Sequence, residues 1–136
     1  MTLVDAGPLI ALLDSREPDH EHCVAALKSI SLPLLTTWSA FTEAMYLTGR
    51  AGGWPAQKAL WQLVLNQDLD VAAQPAEASG RIAELMERYA DRPMDLADAT
   101  LVALAEERDE KRIFTLDADF GIYRIHGRAH FELVPG

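Results

Sequence analysis

Short apolar runs alternate with longer segments whose apolar residues recur at helical spacing, and this alternation organises the chain. Thr2 to Val4 reads as a strand, ended by Asp5-Ala6-Gly7-Pro8, where Pro8 suits the first turn of a helix. Leu9, Ile10, Leu12 and Leu13 then form one helical face, and Cys23, Ala26, Leu27 and Ile30 form another over Asp19 to Ile30. A second strand is expected at Leu34 to Thr37. Ser39 is placed to cap the next helix, which carries Phe41, Ala44, Met45 and Leu47. A further helix starts at Pro55 and carries Leu60, Trp61, Leu63 and Val64.

Leu69 to Ala72 reads as a third strand. Glu77 to Tyr89 is amphipathic, with Ile82, Leu85, Met86 and Tyr89 on the inner face. Asp95 opens a helix that runs through Leu96, Ala99, Leu101, Val102 and Leu104 to about Glu107. Ile113 to Leu116 and Phe131 to Val134 complete the set of strands. Strand and helix alternation of this kind predicts an α/β fold, a three-layer α/β/α sandwich around a short, mostly parallel five-stranded sheet. In such sheets ligands bind outside the carboxyl ends of the strands, where strand order reverses.

A chain of 136 residues without repeats or linker-like tracts implies one domain over residues 1–136. The single cysteine, Cys23, excludes an internal disulfide. No basic leader with an apolar core opens the sequence, and no apolar stretch approaches the roughly 20 residues a membrane helix needs. A soluble, cytoplasmic protein that makes no use of the membrane is the expectation. The net charge of −9 changes the picture more. A protein gripping nucleic acid through phosphates should carry a basic face. An acidic chain can do so only if its carboxylates gather where a cation neutralises them.

The predicted strand ends are where carboxylates gather. Asp5 closes the first strand, Glu43 lies in the first turns of the helix after the second, and Asp117 and Asp119 follow the fourth. Asp95 and Asp98 start the helix leading into that fourth strand. Two carboxylates about 5 Å apart repel by roughly 3 kcal/mol at an effective dielectric near 20. Several together therefore call for a cation, and hard oxygen donors select Mg²⁺ or Mn²⁺. Such an ion can acidify water and orient a scissile phosphate, so the pattern points to phosphodiester chemistry. Each residue also has a plainer reading. Asp95 is a natural N-cap, Asp98 suits the helix dipole, and Asp5 can close an Asx turn with Gly7. Glu43 can lie on a solvated face, and Asp119 can serve as a turn or cap residue.

The residues as an ordered set resemble the PIN domain, and within it the VapC-type toxins of bacterial toxin–antitoxin systems. Leu3-Val4-Asp5-Ala6-Gly7-Pro8-Leu9 is similar to the family's first-strand motif, and Thr42-Glu43-Ala44 to its second acidic motif. Leu96-Ala97-Asp98-Ala99 resembles the third, and Thr115-Leu116-Asp117-Ala118-Asp119-Phe120 the fourth. Each is weak alone; their order and their span of nearly the whole chain give the resemblance its force. It implies a Mg²⁺- or Mn²⁺-dependent endoribonuclease whose cut leaves a 5′-phosphate and a 3′-hydroxyl. It also implies neutralisation by an antitoxin protein and a homodimer. Carried over, Asp5 and Asp98 are the main metal ligands and catalytic residues. Glu43 and Asp117 complete the acidic pocket directly or through water, and Thr115 offers a supporting hydroxyl. Many members place Ser, Thr or Asn two residues after the first Asp, where this chain has Gly7.

Among the arginines, Arg92 just before the Asp95 helix is the first choice for an RNA phosphate, ahead of Arg50, Arg81, Arg88, Arg124 and Arg128. Trp38, Trp54 and Trp61 read as buried anchors more readily than as base-stacking platforms. His20, His22 and Cys23 superficially suggest a zinc run, but on a helix His20 and His22 point to different faces. Paired aspartates after the fourth strand do not fit a phospho-aspartate enzyme, which should carry them after the first. A receiver domain fails as well, since Gln74 and Pro75 occupy its phosphoacceptor position. The alternative from another functional class is a catalytically silent PIN fold that binds RNA or a protein partner.

Overall fold

The computed structural model describes residues 1–135. Strand β1 (Thr2–Val4) runs into helix α1 (Ala6–Leu13), followed by α2 (His20–Leu27) and β2 (Leu34–Thr37). Helix α3 (Trp38–Leu65) leads to β3 (Leu69–Ala72), and helices α4 (Ala78–Arg88) and α5 (Leu96–Arg108) lead to β4 (Arg112–Phe114). After a 3-10 turn at Ala118–Gly121 come β5 (Arg124–Ile125), β6 (Ala129–His130) and β7 (Glu132–Val134). The main sheet has five parallel strands in the order β3-β2-β1-β4-β7.

The inner strands β2, β1 and β4 bury side chains on both faces, and the two-residue period of the pleat distributes them accordingly. Leu3, Leu35 and Ile113 join the core formed with Leu85, Leu101 and Leu104 of α4 and α5. Their neighbours Leu34, Val4 and Phe114 join the opposite core, formed with Leu9, Phe41 and Leu60 of α1 and α3. The expected three-layer α/β/α sandwich is therefore present. Helix α5 is buried over nine successive residues, Ala97 to Ala105, which places Asp98 inside the protein despite its charge.

The boundaries differ from the sequence expectation in instructive ways. Thr37, not Ser39, caps α3: β2 passes into the helix without a loop, and the extended Thr37 already has N-cap geometry. Its hydroxyl accepts from the Ala40 amide at 3.2 Å. The two helices expected around Pro55 are one long element broken at Gly53, whose φ of 66° and ψ of −157° lie outside the helical range. Gly53→Ala should cost about 1–3 kcal/mol, because an L side chain is strained there. Urea unfolding at unchanged slope would show it.

Strand β4 ends at Phe114 rather than Leu116: the Thr115 amide still donates to the Val134 carbonyl, but the Asp117 amide is taken by the Thr115 hydroxyl and the chain turns away. The antiparallel β5–β6 hairpin was not anticipated. It turns through His126 and Gly127 at φ of 54° and 71°. Trp38 and Trp54 are exposed, not buried anchors, because the inward row of α3 is taken by Phe41, Ala44, Thr48 and Leu60. Trp61 is partly buried against Phe41, with ring centroids 5.1 Å apart.

Candidate metal centre

Strands β1 and β4 are neighbours, yet the chain leaves β1 toward one side of the sheet and β4 toward the other. The helices α1 to α3 cover one face and α4 and α5 the other. The gap beyond the carboxyl ends of β1 and β4 is thus the point where strand order reverses.

Asp5 enters this gap from the end of β1. Its backbone amide donates to the Phe114 carbonyl at 3.0 Å, which ties the strand ends together. Its Oδ1 accepts from the Ala6 amide at 2.8 Å, and its Oδ2 accepts from the Thr115 hydroxyl at 3.1 Å. The same hydroxyl accepts from the Asp117 amide at 3.0 Å. Thr115 thereby fixes one carboxylate and the backbone of a second. Asp117 in turn accepts from the Asp119 amide at 2.9 Å, so Asp119 contributes its backbone to the turn.

Asp98 comes from the first turn of α5. Asp95 caps this helix, accepting from the Asp98 amide at 2.8 Å, and the Asp95 amide reaches Asp98 Oδ2 at 3.4 Å to complete a capping box. The cap and the pocket are compatible, since a carboxylate has more than one acceptor site. The Tyr123 hydroxyl donates to Asp98 Oδ2 at 3.3 Å. This buried tyrosine escaped the sequence reading. It lies 25 residues from Asp98, outside every segment with a clear period, and only the tertiary fold brings it there.

Asp5, Asp98 and Asp117 each offer an oxygen, and these atoms lie within 4.8 Å of one another. Glu43 lines the same cleft of about 300 Å³ but is exposed and stands outside that close set. Asp95 also lines the cleft, with Ile10, Leu47 and Leu116 as apolar rim. Asp119 and Arg92 do not line it, and Arg92 is exposed. Gly7 does line it. A Cβ there would meet Leu116 at an ordinary 3.6 Å, so space does not demand glycine.

Five carboxylates and no lysine or arginine line the cleft. Burial, then the charges of Asp95 and Asp5, push the Asp98 carboxyl up to about 7. Burial also raises Asp5 above the usual carboxylate range, against the opposing hydrogen bonds from Ala6 and Thr115. Glu43, though exposed as a residue, is raised by partial desolvation of its carboxyl and then by Asp95, Asp5 and Asp117. At 4.8 Å each ionised pair repels by about 3.5 kcal/mol at an effective dielectric of 20. A divalent cation would supply the missing countercharge, and an all-oxygen donor set suits Mg²⁺ or Mn²⁺. The residues fit such an ion.

Known proteins share this fold. A curated relative, ribonuclease VapC26 of Mycobacterium tuberculosis, is 27% identical over 134 residues, 98% of this chain and 99% of its own. The crystal structure of M. tuberculosis VapC20, described as a sarcin–ricin loop cleaving toxin, superposes with a TM-score of 0.83 at 20% identity. The match covers 90% of this chain and 94% of that one. A toxin–antitoxin complex from Klebsiella pneumoniae gives a TM-score of 0.64 at 18% identity, covering 87% and 88%. At these identities the solved structures establish the fold alone. The sequence profile of the PIN domain matches residues 2–125, and the chain belongs to the PIN-domain family.

Proposed function

We propose that the chain is a Mg²⁺- or Mn²⁺-dependent endoribonuclease, the toxin of a toxin–antitoxin pair acting in the cytoplasm. The observation that carries this reading is the convergence of Asp5, Asp98 and Asp117 on one point of a cleft without basic residues. The name of the VapC26 relative supports RNA as substrate, and the K. pneumoniae complex supports an antitoxin partner. The reading includes a homodimer, for which exposed Trp38, Tyr46 and Trp54 on α3 offer apolar surface.

Asp5, Asp98 and Asp117 would hold the ion. Bound there, Mg²⁺ or Mn²⁺ supplies Lewis acidity toward a phosphate oxygen and lowers the pKa of water. Thr115 holds Asp5 Oδ2 in place, and Tyr123 does the same for Asp98 Oδ2. Glu43, across the cleft, takes the proton of the attacking water on its carboxylate. The test is cleavage of structured RNA by the antitoxin-free protein with Mn²⁺ and with chelator. Cleavage that persists in chelator would sink the proposal. Metal binding without cleavage would favour a silent binding module.

Tyr123→Phe should weaken metal affinity roughly ten-fold, the low end for partners that orient a ligand, since 3.3 Å is a long hydrogen bond. Calorimetric titration with Mn²⁺ would measure it.

A further inference from the structure

A second cavity, of about 280 Å³, adjoins the acidic cleft and shares Leu116 and Asp117 with it. Its walls are of a different kind. Leu133, Pro135 and the exposed Leu116 give apolar surface, while Asp19 and His22 from the start of α2 give two polar side chains. Asp19 occupies the N-cap position of α2, yet its carboxylate makes no capping hydrogen bond. Asp5, Asp95 and Asp117 all bond local amides. The Asp19 carboxylate, like His22, is exposed at the cavity edge and makes no capping bond to its own helix, so it can meet a ligand seated there. His22, three residues on, lies on the same side of the helix.

Such a cavity beside a phosphodiester site suits an unstacked base better than a phosphate. Asp19 and Asp117 repel a second phosphate, whereas a neutral base edge with N–H donors is attracted. The space is broad enough for a flat two-ring system resting on apolar walls. Unstacked RNA bases are read on their Watson–Crick edges in this way. A carboxylate accepts two parallel N–H groups, and an imidazole beside it can donate one. Guanine alone matches, offering N1–H and the N2 amino group as donors next to O6 as acceptor. Adenine and cytosine each present an amino donor beside ring acceptors, and uracil flanks its one N–H with two carbonyls. Each of these would set a lone pair against the carboxylate.

We propose that this cavity is a nucleobase subsite in which Asp19 and His22 select guanine at a nucleotide next to the scissile phosphate. The proposal rests on the ribonuclease reading above.

The test sequences the cut sites that the full-length protein makes, in Mn²⁺, in an RNA hairpin library with a randomised loop. Guanine should be enriched roughly ten-fold at one position flanking the cut, as a good bidentate base contact discriminates. In Asp19→Asn the enrichment should fall to near background. A second readout is the NMR shift of the His22 imidazole on titration with GMP, AMP, CMP or UMP, where GMP alone should move it. Base-blind cutting, or guanine preference that survives Asp19→Asn, overturns the subsite and leaves the nuclease standing. A GMP-selective shift in a protein that cuts no RNA keeps the subsite and removes the nuclease. Base-blind nucleotide binding in such a protein removes both.

Discussion

Asp98→Asn should abolish metal-dependent RNA cleavage, by a factor of at least about a thousand, with no loss of folded structure. The same change should erase the stabilisation that metal confers. In the wild type, Mn²⁺ at about 100 times its dissociation constant adds about 2.7 kcal/mol, on the order of 10 °C in melting temperature for a domain of this size. The variant should stay flat. Its metal-free behaviour carries a sign that a simple loss of structure cannot imitate. Asp98 takes up its proton near pH 7 when folded, against 3.8 as the ordinary value. Between those values the folded protein retains a proton that the unfolded chain has released.

The protonated carboxyl therefore favours folding fully below the unfolded value, and that contribution is lost as pH rises through the folded one. An asparagine has no such proton to lose. In chelator the two proteins should melt together near pH 4, and the asparagine variant should melt higher at pH 8. Were the variant less stable at both pH values by the same margin, the capping box would be the whole role of Asp98.

How far the sequence carried this reading depends on the element. β1 with Asp5, and the α5 start with Asp95 and Asp98, were legible because short apolar runs and capping residues are local signals. The break near Pro55 was legible for the same reason, although the deviant residue is Gly53. Ser39 reads as the cap and Thr37 as a strand residue because nothing in the sequence reveals that a strand runs into a helix without a loop. Tyr123 was missed because its contact with Asp98 is made by the tertiary fold.

The acidic balance also becomes intelligible. Five of the carboxylates share one cleft, so under the proposed function a cation there would offset part of the charge that repels RNA. What no spacing could supply was the distance that separates a close set of three aspartates from Glu43. The plainer readings of Asp95 as cap and Asp119 as turn residue describe what their contacts show. Arg92 is exposed and stands outside the cleft lining.

That distance leads to the second large effect. Glu43→Gln should slow cleavage by about 10²–10⁴, the range for removing a positioned acid or base, while the metal-induced rise in melting temperature persists. Glu43 lies on the exposed side of α3 and faces the cleft without joining the atoms within 4.8 Å. Its carboxyl is raised by partial desolvation and then by Asp95, Asp5 and Asp117, so it binds a proton more readily than an isolated glutamate. That property suits a group that accepts a proton from water.

The amide of glutamine keeps the size and loses the basicity. Single-turnover cleavage at saturating RNA isolates the chemical step, so the deficit should appear there and not in RNA affinity. Asp5→Asn should differ in kind, losing the thermal response along with the rate, because Asp5 belongs to the close set. If Glu43→Gln instead lost the thermal response to the same degree as Asp5→Asn, Glu43 would be a fourth ligand. The proton would then have to pass to another carboxylate of the cleft.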